Sequence, residues 1–172
     1  MILKAFKEKS NQKYVNKLLA ARKAAVNNKK VVSIGVILNV SEFKDYEAFR
    51  AYFKALGLTS PKHKIVAFSS DENAEHNQWD TMYTMKDFGW KGKINNVDLQ
   101  TFLDTEYDAL ICYYREDLLP LNQLALMSKS NFKIGISVEK EKFFDLIIDV
   151  KTNQFEIFKE ELKKYLTILN KL

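Results

Sequence analysis

Residues 107–150 constrain the fold most. They hold three short apolar runs rich in β-branched and aromatic residues: Tyr-Asp-Ala-Leu-Ile-Cys-Tyr-Tyr at 107–114, Phe-Lys-Ile-Gly-Ile-Ser-Val at 132–138, and Leu-Ile-Ile-Asp-Val at 146–150. A helix-like run of about one helix's length separates the first two. Strands buried on both faces read as near-continuous apolar runs, and parallel neighbours need a crossover between them. The stretch therefore predicts a buried parallel sheet with helical crossovers.

The same grammar extends upstream. Val-Val-Ser-Ile-Gly-Val-Ile-Leu-Asn at 31–39 predicts a central strand. Ser41 is a candidate cap for a following helix, whose Phe43, Tyr46, Phe49, Phe53 and Leu56 recur at three- and four-residue steps. Gly57 stands where a left-handed helix end belongs. Thr59-Ser60-Pro61 turns the chain into a strand at 65–69, closing a strand-helix-strand unit whose crossover should be right-handed. A short strand is expected near 82–85. Asn96 is placed to cap a helix through Asp104. Asp117 is placed to cap another that begins at Leu118, with Pro120 in its first turn. At the end, Asn153 and Glu156 have capping-box spacing. Phe155, Phe158, Leu162, Tyr165, Leu166 and Leu169 then form one apolar stripe, expected to dock on the sheet.

The expected architecture is α/β: a three-layer, mostly parallel sheet of five or six strands, of the Rossmann or flavodoxin kind, with helices on both faces. At 172 residues, 47% apolar and 28% charged, the chain suits one such domain. Its one cysteine, Cys112, lies inside a predicted strand and reads as a small core residue. No cysteine–histidine spacing suggests a metal site, and no cofactor is expected. No run reaches the ~20 apolar residues of a membrane span, and no secretory signal is read, so the expectation is a cytoplasmic protein.

Charge divides the chain unevenly. Residues 1–30 carry nine basic side chains and one acidic one, Glu8, whereas the net charge of the whole chain is only +5. This suggests a basic N-terminal helical arm, 1–30, on a single α/β domain, 31–172. Residues 2–26 read as a helix with Ile2, Leu3, Phe6, Tyr14, Val15, Leu18, Leu19 and Ala25 mostly on one side. A break near Ser10 and an end at Asn27-Asn28 are expected. Two readings of the arm stand. Lys4, Lys7, Lys9, Lys13, Lys17, Arg22 and Lys23 contact an anionic partner, either RNA or a ribonucleoprotein or an anionic membrane surface. Alternatively the helix packs on its own domain and leaves its lysines solvated. RNA is preferred because the arm is lysine-rich and lacks tryptophan.

The remaining chemistry is sparse. Residues 70–80 are polar and acidic, and His76 with Asp71, Glu72 and Glu75 matches no metal spacing. Gly89-Trp90-Lys91-Gly92 fits neither phosphate-loop pattern. It reads as a tight connection carrying a core tryptophan, or as an exposed Lys/Trp contact surface. Polar groups at strand exits are the candidate ligand-binding residues: Asn39 and Ser41, Ser69 to Asp71, and Arg115 through Glu116 to Asp117, where a small polar or phosphorylated ligand would bind if they converge. The carboxyl ends of a doubly wound sheet are where ligands bind. The functions considered are a non-enzymatic binding module docking through the arm, a small-molecule enzyme of transferase or hydrolase type using the strand exits, and a structural subunit that self-associates through an exposed apolar stripe; a protein partner is considered as well.

Residues 86–94 (Lys-Asp-Phe-Gly-Trp-Lys-Gly-Lys-Ile), 107–114 and 163–170 (Lys-Lys-Tyr-Leu-Thr-Ile-Leu-Asn) resemble those of a family of uncharacterised Bacteroidetes proteins. That resemblance covers essentially the whole chain. It implies a cytoplasmic α/β protein and brings no assigned activity. Residues 107–137 are also similar to one half of the heptosyltransferase-like glycosyltransferases, in which an Asp-x-Leu-Ile strand precedes a helix and an Arg/Lys-Ile-Gly strand. The chain lacks the length for the second, nucleotide-sugar-binding half, and fold analogy says little about function.

Overall fold

The computed structural model describes residues 1–59, 62–74 and 81–172. In order, the chain forms α1 (Ile2–Ala21), β1 (Ile34–Asn39), α2 (Tyr46–Ala55), β2 (His63–Phe68), β3 (Thr81–Tyr83), α3 (Val97–Asp104), β4 (Ala109–Tyr113), α4 (Leu119–Met127), β5 (Phe132–Gly135), β6 (Leu146–Ile147) and α5 (Phe155–Ile168). The six strands make one sheet in the order β3-β2-β1-β4-β5-β6. Every neighbouring pair is parallel.

The apolar runs explain the layers. β1 and β4 are buried at every position because helices cover both faces. Alternate residues of each strand point to opposite sides. Val36, Leu38, Ile111 and Tyr113 meet α2 and α5 through Phe49, Phe53, Phe158 and Leu162. Ile37, Leu110 and Cys112 meet α3 and α4 through Leu99, Phe102, Leu121 and Leu124. The α5 stripe docks on the sheet, and its Phe155 ring lies 4.7 Å from that of Phe49.

Capping departs from the sequence reading at three places. Asp45, not Ser41, caps α2 by accepting from the Ala48 amide. The chain first turns at Asn39–Phe43 to send Phe43 into the aromatic cluster, 5.0 Å from Tyr113. Ser41 is held in that turn by Asn39. Asp117 does not cap α4; it bonds Asn122 and Lys140 instead. The box expected from Asn153 and Glu156 is not formed, because α5 starts after Gln154. Two expectations match: Asn96 accepts from Asp98 and Leu99 amides, and Gly57 takes φ +76° at the end of α2.

The arm is one continuous helix without a break at Ser10, and it lies against α4. It ends at Ala21, before the expected Asn27-Asn28. There Arg22 turns to an extended conformation and pairs with the buried Asp145 carboxylate at 2.7 Å. Only Asn11 and Val15 of α1 are fully buried. Asn11 is the surprise. Its amide donates to Gly89 O and accepts from Gly92 N, both at 2.9 Å. Beside it Ser10 Oγ accepts from Lys91 N.

That contact defines a small structure the sequence did not separate from a plain connection. Trp90-Lys91-Gly92-Lys93 is a turn closed by Lys93 N donating to Trp90 O at 3.0 Å. Lys91 at φ +52° and Gly92 at φ +79° give it the left-handed pair of a type I′ turn. Phe88 and Ile94 bridge antiparallel beneath it.

Candidate functional site

Two candidate sites follow from the sequence, and the fold treats them differently. The first lies outside the carboxyl ends of β1 and β4, where the strand order reverses. Asn39, Ser41, Arg115 and Glu116, the last within the predicted 115–117 strand exit, come together there, joined by one residue the sequence reading did not single out, Glu42. Asn39 is fully buried. Its Nδ2 donates to both carboxylates, at 3.0 Å to Glu42 and 3.1 Å to Glu116. The Glu42 carboxylate accepts from the backbone amides of Arg115, at 2.8 Å, and Glu116. The Arg115 guanidinium donates to the carbonyls of Ile136 and Val150 and to Asp149.

These bonds have a chemical consequence. Two consecutive amides at a switch point form the kind of cradle that elsewhere receives a ligand phosphate. Here the chain's own Glu42 carboxylate fills it. Arg115, the cation that a ligand anion would need, is committed to carbonyls and to Asp149.

The other strand-exit residues do not join this group. Asp117 lies with Asn122 and the nearly buried Lys140. Hydrogen bonds from Lys140 and Asn122 hold its carboxyl below the ordinary carboxylate range. Ser69 and Asp71 bond each other at the end of β2: Asp71 N donates to Ser69 Oγ at 3.2 Å. Glu75 and His76, considered with Asp71 and Glu72 for a metal, lie outside the described residues. Among the described residues no three His, Cys, Asp or Glu side chains converge to hold a metal ion.

The second site is the outer side of α1. Lys4, Lys9, Lys13, Lys17 and Lys23 are exposed, and Lys7 is half-buried. Arg22, the remaining basic residue of the set, is engaged with Asp145. Lys9, Lys13 and Lys17 fall at four-residue steps on one side of the helix, about 6 Å apart along its axis. They line a groove of about 660 Å³ with Phe6, Tyr14, Trp90 and Lys91. Trp90 is 47% exposed and Phe6 56%. Trp90 is therefore not the core tryptophan of the first sequence reading; it stands on the turn that Asn11 grips. Two glycines bracketing Trp-Lys were the sequence signal for a tight, exposed turn. Nothing local told where α1 would lie against it.

A further shallow groove, about 350 Å³, continues past Leu3, Lys4, Lys7, Met85 and Lys86 on the other side of Trp90. Ile2 and Leu3 are more than 70% exposed at its end. No helix among the described residues is long and apolar enough to cross a membrane.

Sheet order, parallel register and helices on both faces make this a doubly wound, Rossmann-like α/β protein whose switch-point crevice is closed by its own side chains. Residues 7–169 match the model of a family of unknown function, DUF6913, and the chain belongs to that family. Neither the curated proteins nor the solved structures contain a match to it.

Proposed function

We propose that this protein is a cytoplasmic, non-enzymatic docking module that engages RNA or a ribonucleoprotein through the basic outer face of α1. The observation that carries the reading is the groove between the Lys9–Lys13–Lys17 row and the Trp90 turn. Lysines in a row attract phosphates and release counterions on binding. The Trp90 ring opposite, with Phe6 and Tyr14 of α1, supplies apolar contact that a purely solvated helix face lacks. Lys91 adds a further positive charge from the turn. The transferase-like alternative draws less support, because Glu42 occupies the amide cradle at the strand exits.

The test uses the full-length protein and a Lys9→Glu/Lys13→Glu/Lys17→Glu variant. Removing residues 1–30 would also remove Asn11, Val15 and Arg22, which fasten α1 to the domain, so charge reversal is the cleaner change. Both proteins are immobilised in cell extract at low and high salt, and the RNA retained is quantified. The wild type should retain RNA at low salt and release it at high salt, and the variant should retain little at either. Equal retention by both proteins, or none by either, contradicts the reading.

A further inference from the structure

We infer that the partner is held as a single strand, with Trp90 as the platform on which one of its bases stacks; this rests on the docking reading above. The groove is two-sided. One wall is cationic and periodic, formed by Lys9, Lys13 and Lys17. The other is the Trp90 turn, whose ring is about half exposed; Phe6, one helical turn before Lys9 on α1, adds a second half-exposed ring at the end of the lysine row. A duplex offers its phosphates to such a wall but keeps its bases stacked on each other. A single strand offers both at once: phosphates along the lysines and unpaired base faces to the rings.

The dimensions agree. Successive lysines sit about 6 Å apart along α1, comparable with the step between phosphates of an extended strand. The row therefore spans two or three nucleotides. Tyr14 forms the floor between the walls; one side of its ring lies against Gly92, where an added Cβ would come within 2.1 Å of it.

The platform is also pre-set. Trp90 opens a type I′ turn whose Gly89 and Gly92 backbone groups are both fixed by Asn11. Lys91, next to it, is held in the left-handed region with its amide on Ser10. Fixing the backbone that carries the ring before binding lowers the entropy lost on contact. An anionic bilayer is the competing anion. It suits the exposed Ile2 and Leu3 tip, but it is flat, and it would not use a ring set within a groove beside a lysine row.

The discriminating experiment measures the affinity of a labelled mixed-sequence RNA oligonucleotide, of the same strand annealed to its complement, and of vesicles containing anionic lipid. Wild type, Trp90→Ala, Trp90→Phe and the triple lysine-to-glutamate variant are compared. Melting temperatures confirm that each variant is folded. The single strand should bind more tightly than the duplex. Trp90→Ala should weaken single-strand binding about tenfold and leave duplex binding unchanged, while Trp90→Phe keeps most of the affinity. If lysine reversal abolishes binding but Trp90→Ala changes nothing, stacking is overturned and docking stands. Equal affinity for single strand and duplex has the same meaning. If lysine reversal leaves RNA binding unchanged, or only vesicles bind, both readings fail.

Discussion

Asn11 and Gly92, 81 residues apart in sequence, are joined by a 2.9 Å hydrogen bond from the Gly92 amide to the buried Asn11 side chain. The same side chain donates to Gly89 O. One amide group thus satisfies a donor and an acceptor of a turn that α1 covers. This fixes the arm on the domain and sets Trp90 beside the lysine row.

Replacing Asn11 with Leu strands both backbone groups beneath the helix. A buried polar group left without its partner costs about 1–3 kcal/mol. Asn11→Leu should therefore destabilise the protein by about 2–4 kcal/mol in denaturant unfolding. Asn11→Asp keeps the acceptor for Gly92 but sets a buried carboxylate oxygen against Gly89 O, and should lose at least as much. A change under ~0.5 kcal/mol in Asn11→Leu would mean that the helix is not held there.

Two glycines with positive φ should respond differently to alanine. Gly57 has φ +76° and open space around its Cα; Gly92 has φ +79° and the Tyr14 ring in the way. Gly57→Ala carries only the backbone strain of a left-handed alanine, about 1 kcal/mol. Gly92→Ala adds a displacement of Tyr14 and hence of α1, and should lose clearly more in a thermal melt. Tyr14→Ala in the same chain should recover part of that extra loss, and not the loss at Gly57. Equal losses at the two glycines would contradict the packing of Tyr14 on the turn.

Alkaline pH should unfold the protein through groups that burial keeps neutral. Burial pushes the Cys112 thiol from 9.0 up to about 12, and the Tyr52 phenol from 10.0 up to about 12. Tyr83 and Tyr113 are raised for the same reason. Each folded group holds its proton more tightly than the unfolded one. The stability they contribute is complete below pH ~9 and is lost as the pH climbs towards 12. Stability measured against pH should fall across that window. In the native protein at pH 8, Cys112 should resist a thiol reagent and react only on unfolding. Fast labelling of the folded chain would contradict its burial.

The sequence was informative where a local rule and the core agreed. The apolar runs at 31–39 and 107–114 announced the central strands because they are short, nearly continuous and rich in β-branched and aromatic residues, as strands buried on both faces are. The Phe155–Leu166 stripe announced α5 because its period is helical and it has one apolar side. Asn96 and Gly57 were readable because each met a single local demand, a free helix start and a left-handed residue.

Where several polar residues compete, local rules do not choose. Ser41, Asp117 and Asn153 are all good cap types. Ser41 was taken by Asn39, and Asp117 by Lys140 and Asn122. Phe43 had to reach the aromatic cluster before α2 could begin. The candidate sites were half legible for a related reason. Asn39, Ser41 and Arg115 meet as strand-exit residues should, but that Glu42 fills their cradle depends on which way one side chain turns. The lysines of the arm were visible in the charge count. An exposed Trp90 was one of two open readings, and its place beside the lysines, like the role of Asn11, was not visible, because both arise only when α1 folds back across the distant turn. The tryptophan that the arm lacks in sequence is supplied in space by the domain.

The most direct measurement of the central claim is the salt dependence of RNA affinity for the wild type and the Lys9→Glu/Lys13→Glu/Lys17→Glu variant. Each phosphate neutralised on a single strand contributes about 0.7 to the slope of log affinity against log salt. If the three lysines contact phosphates, the variant's slope should be shallower by about 2, and its low-salt affinity should drop steeply. Two parallel lines of equal slope would show that these lysines touch no phosphate, and the docking account would fall.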